Sequence, residues 1–196
     1  MYNVQFAFFA RNVVTANCQN MSKPVPILYV TMGLPASGKT FFSQRIATDL
    51  GIFYLNVDAL RMAMMVHPTF EPQEHRTVFR TAHFIVEQHL LQGQSVVCNA
   101  NYHVRNHRKE LQRLADRCGA TMQVIWVDVP YAVAQERIIT RDHEIPTDKM
   151  KDDPLRILQR MSQQLQAPAD DEPVIKINGT LPYKQQRNDF YAQLQE

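Results

Sequence analysis

No stretch of this 196-residue sequence approaches the ~20 consecutive apolar residues that a bilayer-spanning helix needs, so no membrane span is expected. The opening MYNVQFAFFARNVV has a short apolar patch but no basic segment ahead of it, a poor match to a secretory signal. Cysteine is scarce. Cys18, Cys98 and Cys118 are an odd number with no CxxC pair, which argues against a disulfide framework and for a reducing cytoplasm. Charge of one sign is also lacking: 21 Lys and Arg against 19 Asp and Glu leave +2, too little to demand a long nucleic-acid track. No internal repeat and no low-complexity block interrupts the chain.

What is present suits one domain with a full hydrophobic core, at 45% apolar and 20% charged residues. NCQNMSKPVP marks a boundary. Residues 1–24 read as a tail, disordered or loosely docked, with Met21 an alternative start, and 25–196 as the domain. Strand-length apolar runs alternate with amphipathic helix-length stretches. The runs PILYVTM (26–32), IFYLNV (52–57), QSVVCN (94–99), MQVIWVDV (122–129) and PVIKIN (173–178) predict five strands. Helices are predicted over 39–50, 58–65, 71–92, 104–118, 130–141, 154–166 and 182–195, with Gly51, Gly93 and Gly119 as stops. This alternation predicts an α/β fold, a three-layer α/β/α sandwich on a five-stranded, mainly parallel sheet with right-handed crossovers.

GLPASGKT (33–40) satisfies G-x-x-x-x-G-K-[ST] at Gly33, Gly38, Lys39 and Thr40, between a strand and a helix as the chemistry requires. In such a loop successive N–H groups turn inward on a phosphate and the helix N-terminus adds partial positive charge. Gly33, Leu34, Pro35, Ala36, Ser37, Gly38, Lys39, Thr40 and Phe41 are therefore the expected nucleotide contacts. Lys39 would reach the β- and γ-phosphates of ATP, and the Thr40 hydroxyl would hold Mg²⁺.

Asp58 follows the second strand. If that strand lies beside the phosphate strand, Asp58 opens onto the same crevice and can take the proton of a hydroxyl attacking the γ-phosphate. Arg61, one helical turn on, would hold the acceptor or neutralise developing charge. The competing reading makes Asp58 a helix N-cap and Arg61 a solvated charge, and capping and catalysis do not exclude each other.

GLPASGKTFFSQRIA, NVDALRMAM and SVVCNANYHVRNHRKELQRLADRCGA together resemble the P-loop kinase group that includes 5′-polynucleotide kinases, zeta toxins and chloramphenicol phosphotransferase. The resemblance covers about 26–180 and implies a P-loop NTPase of nucleotide-kinase type with a small helical lid at about 137–155. In the polynucleotide kinase branch, the Asp58–Arg61 pair implies a general base and an acceptor-phosphate ligand. The lid implies Arg137 and Arg141, at i and i+4, closing over the triphosphate, against which a solvated arginine face competes. INGT resembles the adenine-contacting loop, which brings in Asn178, Gly179 and Thr180. One departure stands out: the group carries an acid after the third strand, where this chain has Asn99, with Asn101 beyond it. An amide brings no charge to Mg²⁺, and turn residues at a strand end are an equal reading.

His103 and His107 have no third metal ligand at useful spacing and read as a solvated pair. The basic run Arg105, Arg108, Lys109, Arg113, Arg117 reads as a wet helix face or, alternatively, a nucleic-acid contact. Met62, Met64 and Met65 read as packing or as an adaptable acceptor pocket. The expectation is a cytoplasmic, ATP- and Mg²⁺-dependent kinase, a monomer or weak oligomer, acting on a hydroxyl of a small molecule or a nucleic-acid 5′ end. A nucleotide-binding regulator or degenerate kinase is the second class. A motor or AAA-type remodeller ranks third, because no hydrophobic run ends in Asp-Glu and no room is left for a helical lid domain.

Overall fold

Apolar side chains on both faces of the predicted strands require helices on both sides, and the computed structural model has them. It describes residues 24–141 and 153–194, with the side chain of Arg141 outside the description. The elements run β1 (Ile27–Met32), α1 (Lys39–Leu50), β2 (Phe53–Asn56), α2 (Val57–Met64), α3 (Pro72–Leu91), β3 (Val96–Asn99), α4 (Arg105–Arg117), β4 (Thr121–Asp128), α5 (Tyr131–Arg141), α6 (Pro154–Gln164), β5 (Val174–Asn178) and α7 (Tyr183–Leu194). Boundaries fall within about two residues of those read from hydrophobic period and glycine stops.

The five strands form one sheet in the order β2-β3-β1-β4-β5, and every neighbouring pair is parallel. β2 is therefore an edge strand paired with β3, not the neighbour of β1 that the sequence reading supposed. The long α3 crossover returns the chain to a place between them. All five strands still end on one side of the sheet, so the crevice remains common to them.

Two cores lie on the two faces. Leu28, Val30 and Met32 of β1 join Val96, Cys98, Met122 and Val124 under Val78, Ala82 and Val86 of α3 and Leu111 and Ala115 of α4. Tyr29, Val97, Ile125, Val127, Ile175 and Ile177 face Phe42 and Ile46 of α1 and Phe190 of α7. The β5 edge is covered by α7: the Gln193 amide bonds both the N–H and the C=O of Lys176, as a neighbouring strand would. Most of the expected lid, 142–152, and the tail apart from Pro24 lie outside the described residues.

Candidate active site

The loop between β1 and α1 has the geometry that its glycines allow. Gly33 has φ 142°, and a Cβ there would lie 2.2 Å from the carbonyl oxygen of Val127. Gly38, at φ 99°, caps α1 without a side-chain hydrogen bond, leaving the first-turn N–H groups to a ligand. Ala36 also takes a left-handed conformation, φ 59°. Ser37 is fully buried and its hydroxyl has no hydrogen-bond partner.

Lys39 folds back over this loop and donates from Nζ to the carbonyl oxygens of Gly33 (3.0 Å) and Leu34 (2.7 Å). Burial pulls its ammonium pKa down to about 8, partly offset by the charge of Asp58. Asp58 is exposed in the first turn of α2. The N-cap of that helix is Asn56, whose Oδ1 accepts from the N–H groups of Asp58 (3.0 Å) and Ala59 (3.1 Å). The capping role considered for Asp58 is thus filled by its neighbour two residues back. Among the described residues the Asp58 carboxylate makes no hydrogen bond or ion pair.

Arg61 is placed differently from the expectation. It is 3% exposed, with Nη1 on the carboxylate of Glu74, Nη2 3.3 Å from Nδ1 of His75, and the Phe70 ring 4.9 Å from its guanidinium. Glu74 also accepts from Thr69 N–H and Oγ1 and from Phe70 N–H, and these bonds with Arg61 bring its pKa down to about 2. Arg61 therefore anchors the 65–71 connection and does not reach into the crevice.

Asn99, 3% exposed, ends β3 at the centre of a network. Its Oδ1 accepts from Thr31 Oγ1 (3.0 Å), and its Nδ2 donates to Thr40 Oγ1 and Tyr54 Oη, both at 3.1 Å. An amide N–H thus faces the hydroxyl expected to hold Mg²⁺. Thr31 and Tyr54 were invisible as site residues in the sequence, because their relevance comes only from sheet pairing. Asn101 donates to the sulfur of Met161, which ties α6 to the β3–α4 loop. His103, half-buried and 3.2 Å from the Asn101 carbonyl, has its pKa lowered by burial and by nearby His107 and Lys39. The CNANYH string carried this signal only weakly.

Arg137 spends its guanidinium on main-chain carbonyls: Nη1 on Ala36 (3.2 Å) and Ser37 (3.3 Å), Nη2 on Gly179 (2.9 Å). In the 178–180 turn, Asn178 Oδ1 accepts from Thr180 N–H (3.0 Å) and Oγ1 (2.7 Å). Gly179 abuts the loop, since a Cβ there would lie 2.5 Å from the Ser37 carbonyl oxygen. Phe41 is 46% exposed, with Arg45 over its ring at 4.2 Å and Tyr183 edge-on at 6.2 Å. A groove of about 690 Å³ borders Asn178, Asp128, Lys176 and Asp189 beside α7 and includes no residue of the 33–41 loop. In the basic run on α4, Arg108 is fully buried on Glu172, Arg105 pairs with Asp171, and Arg117 lies 3.9 Å from Glu87. Lys109, Arg113 and Arg117 are exposed.

A family model described as an AAA domain, AAA_33, matches residues 28–168. No curated protein matches the sequence. A sugar kinase from Janibacter sp. HTCC2649 has a similar structure, with TM-score 0.66 and 20% identity, over 88% of this chain and 95% of that one. A gluconokinase from Sinorhizobium meliloti 1021 gives 0.61 and 21%, over 88% and 93%. Kti12 from Chaetomium thermophilum, in complex with ADP-AlF3, gives 0.69 and 17%, over 86% and 97%. At such identities the likeness establishes the fold alone, a parallel sheet with helices on both faces.

Proposed function

This chain belongs to the AAA-domain family AAA_33, and from that premise we propose that it is an ATP-dependent kinase that phosphorylates a hydroxyl acceptor. The domain is taken as 25–196, with the lid at about 137–155. The observation that carries the reading is Asp58: an exposed, uncommitted carboxylate on a helix capped by another residue, whose charge is felt at Lys39. In the proposed reaction Lys39 leaves the Gly33 and Leu34 carbonyls for the β- and γ-phosphates, and main-chain N–H groups of the loop hold the phosphate oxygens. The acceptor oxygen attacks the γ-phosphorus as its proton passes to Asp58, and the bond to the ADP oxygen breaks. Thr40 is the residue that would hold Mg²⁺, which when bound would neutralise charge on the phosphates. Phe41 and the 178–180 turn would lie against the ribose and base. None of the five strands runs into an Asp-Glu pair, which favours phosphotransfer over motor chemistry.

The acceptor is a hydroxyl on a small molecule or a nucleic-acid 5′ end. Transfer of labelled γ-phosphate to a panel of sugars, nucleosides and oligonucleotides tests this. Asp58→Asn is expected to reduce transfer by about 10²-fold or more, with ATP affinity little changed. Undiminished transfer in that variant would refute the base assignment.

A second reading has one specific observation behind it. Asn99 presents an N–H, not a carboxylate, to Thr40. A nucleotide-binding regulator would show ATP affinity indifferent to Mg²⁺ and no transfer to any acceptor, both readable by calorimetry and the same transfer panel.

A further inference from the structure

The αL conformation of Ala36 and the carbonyls bonded by Arg137 belong together. Alanine adopts positive φ only where its surroundings hold it there, and Ala36 and Phe70 are the non-glycine residues so placed among those described. A phosphate loop needs its N–H groups turned inward, which turns some of its carbonyls outward, where they require donors. Here the donors come from one planar guanidinium. Arg137 bonds the carbonyl of Ala36, the carbonyl of Ser37 and, on the far side, that of Gly179. Ala134, one turn earlier on α5, is fully buried against Val129 and Leu158, which fixes the helix and so the position of the fork.

We propose that Arg137 is a positioning residue for the phosphate loop. It holds the Ala36 and Ser37 carbonyls outward while the Ser37 N–H bonds the Leu34 carbonyl (3.1 Å), so that the Gly38 N–H and those of the first turn of α1 face the nucleotide phosphates. Its effect falls on phosphate affinity through the loop and not on the transferring group. The proposal rests on the reading of residues 33–40 as a nucleotide phosphate loop. It separates Arg137 from Arg141, the pair the sequence had placed together over the triphosphate.

ADP is the discriminating probe, because it lacks the γ-phosphate that a transition-state arginine would serve. Titration calorimetry on the full chain would compare wild type, Arg137→Gln, Ala36→Gly and the double variant. Arg137→Gln is expected to bind ADP about tenfold more weakly, the order of one or two charge-assisted hydrogen bonds. Ala36→Gly alone is the reference for the loop with glycine at this position. In the double variant it should restore a large part of the lost affinity, since glycine takes the left-handed conformation unaided. Unchanged ADP affinity in Arg137→Gln overturns the proposal, whether or not its melting temperature falls, and so does a double variant no better than Arg137→Gln. If Arg137→Gln is insoluble, Arg137→Lys serves: it keeps the charge but cannot span three carbonyls, so the same loss and rescue are expected. A wild type that binds no ADP defeats the phosphate-loop reading itself and this proposal with it.

Discussion

Lys39 shows how much a residue's chemistry depends on what it faces. On its own carbonyls, with burial dominating, its ammonium titrates near 8. Anionic phosphates would return the pKa to the ordinary lysine range, so nucleotide binding must take up a proton above pH 8. ATP affinity is expected to be flat below pH 8. From there towards pH 10 it should fall by up to about tenfold per unit, measured by calorimetry in buffers of different ionisation enthalpy. Lys39→Met should bind weakly and lose this dependence. The same lesson applies to Arg61: a sequence spacing of three from Asp58 implied a shared task, but its guanidinium is paired with Glu74 and covered by Phe70.

At the scale of an element, α2 is the informative case. It is only eight residues long, too short to be stable on its own, and it delivers Asp58. Its start is held by Asn56, whose side-chain Oδ1 takes two of the orphan N–H groups. Asn56→Ala should cost about 1 kcal/mol, a fall of roughly 2–4 °C in melting temperature for a chain of this size. Transfer should fall further than stability alone would account for, because the Asp58 backbone loses its hold. Calorimetric melting and transfer assays on one preparation check both. The cap was legible in principle, since an asparagine stood two residues before the aspartate. The choice between Asn56 and Asp58 turned on where β2 ends, and boundaries are the part of a sequence reading most easily shifted by one or two residues.

For the whole molecule, the return of the chain from the lid region is secured by a buried charge pair. Arg108, fully buried, donates from Nε (2.8 Å) and Nη2 (2.9 Å) to the two oxygens of Glu172, and also bonds the Tyr102 carbonyl. This joins α4 to the segment entering β5. Burial opposes the charge on Glu172, but Arg108 and the Ala169 N–H outweigh it and lower its pKa. A depressed carboxylate stabilises the fold above its unfolded pKa, and that stability is lost as pH falls through the folded value. Arg108→Ala should cost at most about 3 kcal/mol, because Glu172 keeps the Ala169 N–H and Arg105 at 3.8 Å, whereas replacing both residues by apolar ones of similar volume should cost far less. Thermal melting of the single and double variants measures the difference.

Hydrophobic period, glycine stops and one eight-residue motif were enough to define the strands, the helices and the phosphate loop, because each is set by contacts along a few residues of chain. The three layers followed from strands apolar on both faces. What needed the tertiary structure was every relation between segments distant in sequence: β2 at the sheet edge, Asn99 bonded to Thr40, Arg137 on the carbonyls of Ala36 and Ser37. Such partners are chosen by strand order and helix packing, which sum many weak contacts over the whole chain. No local pattern records that sum, so the sequence named the groups that do chemistry and the fold decided which of them meet.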